Sequence, residues 1–431
     1  MPTVPLPSPG FSLDCELGVA TAATQIEGGR ADTIWHRWAA TGGARDHTTP
    51  EVAADHWNRV EADADLMASL GIRHYRLGLE WARIEPDQGR FDPNALAHYR
   101  RELGLLRDRG ITPLVTLHHF NDPGWFGEAG GFLADGAHET FIRYAERVVE
   151  ELGDLADEWI TINEPNVFGY NGYYLGCWPP GRRTRRDMLA AFTGLAHSHI
   201  VAYQRIHALQ PTAKVGVANH LRVFDPAHPR NPLDRAAAAS TEYLFQGALT
   251  RALCRGRFMA PLVQPKGVRP GTYYDFLGIN YYTRGVVSGP NQQTASRVPV
   301  NDLGWEIHPA GIVDLARRYS ALYPGPIYIT ENGTADASDA FRARYLYDHL
   351  RAIAEASDVP IERYYHWTFT DNWEWAEGQT ARFGLVALDF ETQERTVRES
   401  GRFYADVIAN RGVTPDAHRR WVLPTRYRTN A

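Results

Sequence analysis

Two short segments, TINEP at 161–165 and ITENG at 329–333, each carry an apolar, β-branched run straight into a glutamate and then into residues that end a strand. EWITINEP reads as a buried strand stopped by Pro165, and PIYITENG as one stopped at Asn332-Gly333. Carboxyl groups at the carboxyl ends of two strands suit a reaction that needs one proton donor and one nucleophile, and glycoside hydrolysis with retention is such a reaction. Taken singly, either glutamate reads equally as a strand-end carboxylate paired with an arginine. The matched contexts favour chemistry.

The elements that must hold these two residues recur along the whole chain. Eight apolar runs read as buried strands: 15–21, 72–79, 111–119, 158–164, 213–220, 274–282, 326–331 and 361–370. Helical patterns lie between them. Asp55 to Leu70 ends at Gly71, Ala95 to Arg109 at Gly110, and Glu139 to Leu152 at Gly153, each a helix closed by glycine. Alternating strand and helix implies a parallel sheet with helices outside. Eight such units without a Ser/Gly linker predict an α/β fold, one (β/α)8 TIM barrel with elaborated βα loops, spanning 1–431 as a single catalytic domain with a loose extension at 1–13. A doubly wound open sheet is the alternative, but no GxGxxG follows the first strand. In the barrel the site gathers at the strands' carboxyl ends. The polar residues fall there: Gln25 after the first strand, Arg76 in the second, His119 ending the third, Asn163 and Glu164 the fourth, Asn280 and Tyr282 the sixth, Glu331 the seventh, and DNWEWAEG at 371–378 beyond the eighth.

The bulk numbers exclude several other functions. A net charge of −6, from 45 basic and 51 acidic residues, gives no footprint for nucleic acid. Arg182, Arg183, Arg185 and Arg186 follow the turn WPPG and read as a solvated loop and helix start, or alternatively as part of a site mouth. No run approaches the ~18 apolar residues of a membrane helix, the proline-rich start lacks a signal peptide's features, and the three cysteines imply no disulfide framework. The expectation is a cytoplasmic protein. His118 and His119 diverge in a strand, and His197 and His199 point different ways in a helix, so no metal site is expected. Aromatic residues reach 12%, with 12 Trp and 21 Tyr, a composition suited to stacking on sugar rings.

In order, GVATAATQIEGG (18–29), DHWNRVEADADLMASLGI (55–72), YRLGLEWARIEP (75–86), TLHHFNDP (116–123), TINEPNV (161–167), DFLGINYYTR (275–284), GWEIHPAG (304–311), ITENG (329–333) and DNWEWAEGQTARFGLVALDF (371–390) resemble glycoside hydrolase family 1, the retaining β-glucosidases and β-galactosidases. The resemblance covers nearly the whole chain. It implies a cofactor-free exo-β-glycosidase acting on small β-glycosides and oligosaccharides, glucosides, galactosides and fucosides among them. It puts the acid/base on Glu164 and the nucleophile on Glu331, with Arg76 and Tyr282 facing the nucleophile and Asn163 at the hydroxyl of carbon two. In a retaining enzyme the two carboxyls lie about 5–5.5 Å apart, and a negative neighbour favours the protonated acid.

The same resemblance maps Gln25, His119, Asn163, Trp305, Trp367, Glu374 and Trp375 onto sugar binding, with Trp367 as the floor under the ring. A phospho-β-glycosidase would carry a phosphate-binding set where Glu374 stands, and Glu374 would repel a dianion. A catalytically dead sugar-binding barrel would have lost one of the two glutamates. Three features differ from the family pattern: a short 226–270 segment on the aglycone side, Glu80 in place of serine, and Gln379 in place of tyrosine.

Overall fold

A computed structural model describes residues 9–430. All eight predicted runs form strands, and together they close one parallel barrel. They are β1 (Glu16–Ala20), β2 (His74–Gly78), β3 (Thr112–His118), β4 (Glu158–Asn163), β5 (Lys214–His220), β6 (Phe276–Asn280), β7 (Ile327–Asn332) and β8 (Ile361–Trp367). Each pairs in parallel with its sequence neighbours, and β8 pairs with β1 to shut the ring. The strands are buried on both faces because side chains fill the barrel inside and helices cover it outside, which is why they read as continuous apolar runs.

The covering helices are α1 (His56–Ser69), α2 (Pro93–Asp108), α3 (Ala137–Leu152), α4 (Arg185–Leu209), α5 (Ala248–Arg255), α6 (Ala310–Leu322), α7 (Arg342–Ala354) and α8 (Glu399–Asn410). The first three lie within two residues of the expected bounds. Gly71 and Gly110, at φ of 74° and 68°, supply the left-handed residue that ends α1 and α2. The four arginines at 182–186 form the exposed loop and the first turn of α4, where Thr184 caps by accepting from the Asp187 N–H.

Beyond the carboxyl ends of β5 and β6 the chain builds a small outer sheet. Val223–Pro226 runs parallel to Arg284–Ser288, which turns back antiparallel onto Asn291–Gln293. With the 226–270 segment, this sheet raises one side of the barrel mouth. At the opposite end Arg363 of β8 reaches across to Glu158 of β4, donating from Nη2 to Oε1 at 2.7 Å.

The loose extension expected over 1–13 needs correcting. Phe11–Ser12 pairs antiparallel with Gly412–Val413, and Leu13 is buried, because the hydrophobic residue needs cover and the paired backbone provides it. Residues 1–8 lie outside the described residues. Among the described residues no helix is long and apolar enough to cross a membrane.

Candidate active site

The two glutamates sit where their strands leave regular pairing. Register shifts occur between Ile160 and Asn163 of β4 and between Ile329 and Glu331 of β7. Such irregularities re-aim a side chain that the pleat would otherwise bury in the wall. Glu164 goes further: its backbone is left-handed, with φ 41° and ψ 56°, and it caps the short helix Pro165–Gly169. A glutamate held there costs on the order of 1–3 kcal/mol, a strain typical of functional positions.

Arg76, wholly buried inside the barrel, organises the floor. It donates from Nη1 to Glu331 Oε1 and from Nη2 to Asn163 Oδ1, both at 2.6 Å. Its Nε donates to Thr116 Oγ1 at 3.1 Å, which fixes the plane of the fork. The Tyr282 hydroxyl donates to the other oxygen of Glu331 at 2.6 Å. Asn280 Nδ2 donates to both Asn163 Oδ1 and Glu164 Oε1, at 2.9 Å each. His220 Nδ1 lies 3.2 Å from the same Glu164 oxygen. Because Asn163 spends its oxygen on Arg76 and Asn280, its Nδ2 donates to His119 Nε2 at 2.9 Å. That leaves the proton of neutral His119 on Nδ1.

The adjacent histidines diverge as the strand geometry requires. His118 turns outward to Asp122, 2.6 Å away, while His119 lines the cavity and stacks on Trp367 and Trp375 at ring separations of 5.7 and 5.8 Å. Gln25 Nε2 donates to Glu374 Oε2 at 3.1 Å, and its buried Oε1 has no hydrogen-bond partner among the described residues. The loop after β8 is pinned by Asp371, which accepts from Arg398 and from the Gly384 N–H. Trp305 packs edge-on against Tyr282, 5.8 Å between rings. His119, Glu164, His220, Tyr282, Trp305, Glu331, Trp367, Glu374 and Trp375 line one cavity of about 520 Å³ that runs from Trp367, Glu331 and Glu374 to an exposed rim at Tyr174 and Asn291, with Gln25, Arg76, Asn163 and Asn280 bonded to these residues from behind its wall.

Burial pushes Glu331 up to about 7; the charge of Glu164 adds to the rise, while Arg76 and Tyr282 oppose it. Burial, followed by the charge of Glu331, pushes Glu374 up to about 8, and hydrogen bonds from Gln25 and Trp367 hold it back. Burial, then Arg76, drive His119 well below its usual value, so it is neutral. The site is a cluster of acids crowded into a low-dielectric end, with the arginine fork on one of them.

Comparison with known proteins decides the family. The model of glycosyl hydrolase family 1 matches residues 9–413. The chain belongs to that family. It is 32% identical to β-glucosidase A of Thermotoga maritima over 92% of its own length and 97% of the relative's. It is 33% identical to β-glucosidase A of Acetivibrio thermocellus, covering 93% and 99%. Among solved structures, the β-glycosidase from Pyrococcus horikoshii superposes with a TM-score of 0.88 at 32% identity, covering 97% of this chain and 99% of that one. The β-glucosidase from Thermotoga maritima in complex with glucoimidazole gives a TM-score of 0.86 at 31% identity, over 94% and 100%. This family 1 hydrolase is therefore a glycosidase with the (β/α)8 barrel of its relatives.

All the residues that the sequence nominated lie at this one end of the barrel. Two of the family differences do not reach the cavity. Glu80 is buried behind it, accepting from Thr24 at 2.5 Å and from Asn121 at 3.1 Å, and the backbone N–H of Gln379 donates to Asp46 at 2.6 Å. The third does, through Thr241, Leu244 and Phe245 of the 226–270 segment. Sequence reasoning passed over His220, Arg222 and Trp178 as site residues. His220 had a signal, since it ends the fifth apolar run as His119 ends the third. Arg222 and Trp178 had none, because loops carry no periodicity to say which way a side chain faces.

Proposed function

We propose that this family 1 hydrolase is a retaining exo-β-glycosidase of carbohydrate breakdown, taking terminal non-reducing β-D-glucosides, with β-galactosides and β-fucosides in range. One observation carries the reading: Glu331 has both oxygens held, by Arg76 and Tyr282, in the same cavity as Glu164. A carboxylate fixed on both oxygens and buried at the closed end suits attack on an anomeric carbon.

Glu331 attacks that carbon as Glu164 gives its proton to the departing glycosidic oxygen, leaving a glycosyl ester on Glu331. Esterification removes the negative charge of Glu331, and Glu164, now ionised, takes a proton from the water that breaks the ester. Gln25, His119, Glu374 and Trp375 bind the hydroxyls of the glycone, Asn163 the hydroxyl at carbon two, Trp367 stacks under the ring, and Trp305 stands beside the nucleophile. The free Oε1 of Gln25 and the protonated Nδ1 of His119 are an acceptor and a donor that sugar hydroxyls would satisfy.

A 2-deoxy-2-fluoroglucoside with a dinitrophenolate leaving group tests the assignment. The slow second step should let a fluoroglucosyl adduct accumulate, and peptide mapping should place it on Glu331. An adduct elsewhere, or α-glucose as the first product seen by proton NMR with an ordinary aryl β-glucoside, would sink the double displacement.

A further inference from the structure

The rim of the cavity carries a charge that the glycone reading leaves unused. Arg222 follows His220, the last residue of β5, by two residues in the short link to Val223–Pro226, and both line the cavity with Glu164. Its backbone is clamped by Gln246, which accepts from the Arg222 N–H at 2.9 Å and donates to the Arg222 carbonyl at 3.0 Å. The guanidinium has no such anchor. Its Nε is buried without a hydrogen-bond partner, and among the described residues it forms no ion pair. The side chain as a whole is partly buried, and a cation withdrawn from water ordinarily finds a partner, since an uncompensated one forfeits hydration for nothing. Burial lowers its affinity for the proton, and Glu164 chiefly counters this. Tyr170 and Phe245, 5.7 Å apart and edge to face, line the cavity too, and Arg185 from the first turn of α4 reaches it, exposed and without an ion pair among the described residues.

We infer that Arg222 is the anion-binding residue of the aglycone site, and that this site takes the β-glycoside of a phenolic acid, the ring against Tyr170 and Phe245 and the carboxylate on the Arg222 fork. A guanidinium matches a carboxylate with two parallel hydrogen bonds, and Arg185 adds a second positive charge from the rim. The position suits a leaving group, because Arg222 lines the cavity with Glu164, the proposed proton donor to the departing oxygen, and Glu164 is the acid whose charge acts most on it. The inference rests on the exo-β-glycosidase reading and adds the class of aglycone.

The test compares 4-(carboxymethyl)phenyl with 4-(carbamoylmethyl)phenyl β-D-glucoside, in which a methylene insulates the phenol so that leaving ability is matched. At low ionic strength the acid should have a kcat/KM about tenfold higher, the worth of a charge-assisted hydrogen bond, carried by KM and shrinking with salt. In Arg222→Met the acid-to-amide ratio should fall to near one, and Arg222→Lys, which keeps the charge and the fold, should retain part of it. Equal rates on the two substrates in the unmutated enzyme overturn the inference, as does a preference that survives in Arg222→Met. A ratio unchanged while both rates fall together would make Arg222 a partner of Glu164 instead, which also overturns it. Hydrolysis of neither substrate, nor of any aryl β-glycoside, would count against the glycosidase reading itself.

Discussion

At the scale of single residues, the proposed chemistry turns on whether Glu331 is an anion at the closed end of the barrel. Burial alone raises a carboxyl by several units. The fork of Arg76 and the hydroxyl of Tyr282 hold the rise to about 7. Tyr282→Phe removes one of those two restraints and no volume to speak of. Glu331 should then ionise at higher pH, so, if it is the proposed nucleophile, the acidic limb of kcat/KM should move upward and the value at neutral pH should drop about tenfold, the worth of one hydrogen bond to a charged group. The pH dependence of kcat/KM on nitrophenyl β-glucoside checks this. A uniform loss with the limb unmoved would mean that Tyr282 packs against the site without supporting the charge.

At the scale of elements, the strand ends are where side chains and backbone must be fitted together. Gly333, just past Glu331, shows how tightly. A Cβ added there would meet the Trp367 carbonyl oxygen at 1.8 Å, so only glycine lets the end of β7 lie against the end of β8. Gly333→Ala should push the two strand ends apart, costing about 1–3 kcal/mol as overpacking does, and should impair turnover, because Glu331 and Trp367 flank the clash. Gly104 in α2 has open space around its Cβ position. Gly104→Ala should stabilise by roughly 0.5–1 kcal/mol through helix propensity alone. Urea midpoints for the two variants should therefore move in opposite directions, and a destabilised Gly104→Ala would contradict the contrast.

The same scale explains what was legible in the sequence. The eight strands could be read because burial on both faces writes an unbroken apolar run, and three of the helices, α1 to α3, because glycine follows each of them. Glu164 and Glu331 could be read because each interrupts such a run with a charge at its end. The outer sheet of Val223–Pro226, Arg284–Ser288 and Asn291–Gln293 could not, since its strands are short and partly exposed and pair across a long gap in the chain. The pairing of Phe11–Ser12 with Gly412–Val413 was hidden for the same reason: a two-residue strand has no period.

For the whole molecule, housing this site means burying titratable groups of opposite habit, and stability should record it. Glu80 and Glu374 are both raised to about 8, by burial first and then by neighbouring acids, Glu27 for the former and Glu331 for the latter. Burial instead lowers His199 to about 4 and His349 and His366 to about 3. A raised carboxyl keeps its proton in the folded state after the unfolded chain has lost it near 4.5, so its contribution is fully present below that pH and is lost as pH climbs to about 8. A lowered imidazole contributes above its unfolded value of 6.5 and loses that contribution as pH falls to its folded value. The two sets together place the stability maximum of these groups between about pH 4.5 and 6.5.

Glu374→Gln isolates one member of the set. Forcing this carboxyl to ionise in its buried place costs on the order of 4 kcal/mol by pH 8, and the amide escapes that cost. At pH 4.5 and below, acid and amide are both neutral and the variant should melt close to the parent. As pH rises to 8 the parent should fall away, leaving the variant ahead by roughly 4 °C for a chain of this size. Melting temperatures of both proteins from pH 4.5 to 8.5 measure the difference directly. Parallel curves would show that Glu374 ionises with no penalty, and the crowding of acids at the closed end of the cavity would then have to be relieved by charges other than the arginine fork of Arg76.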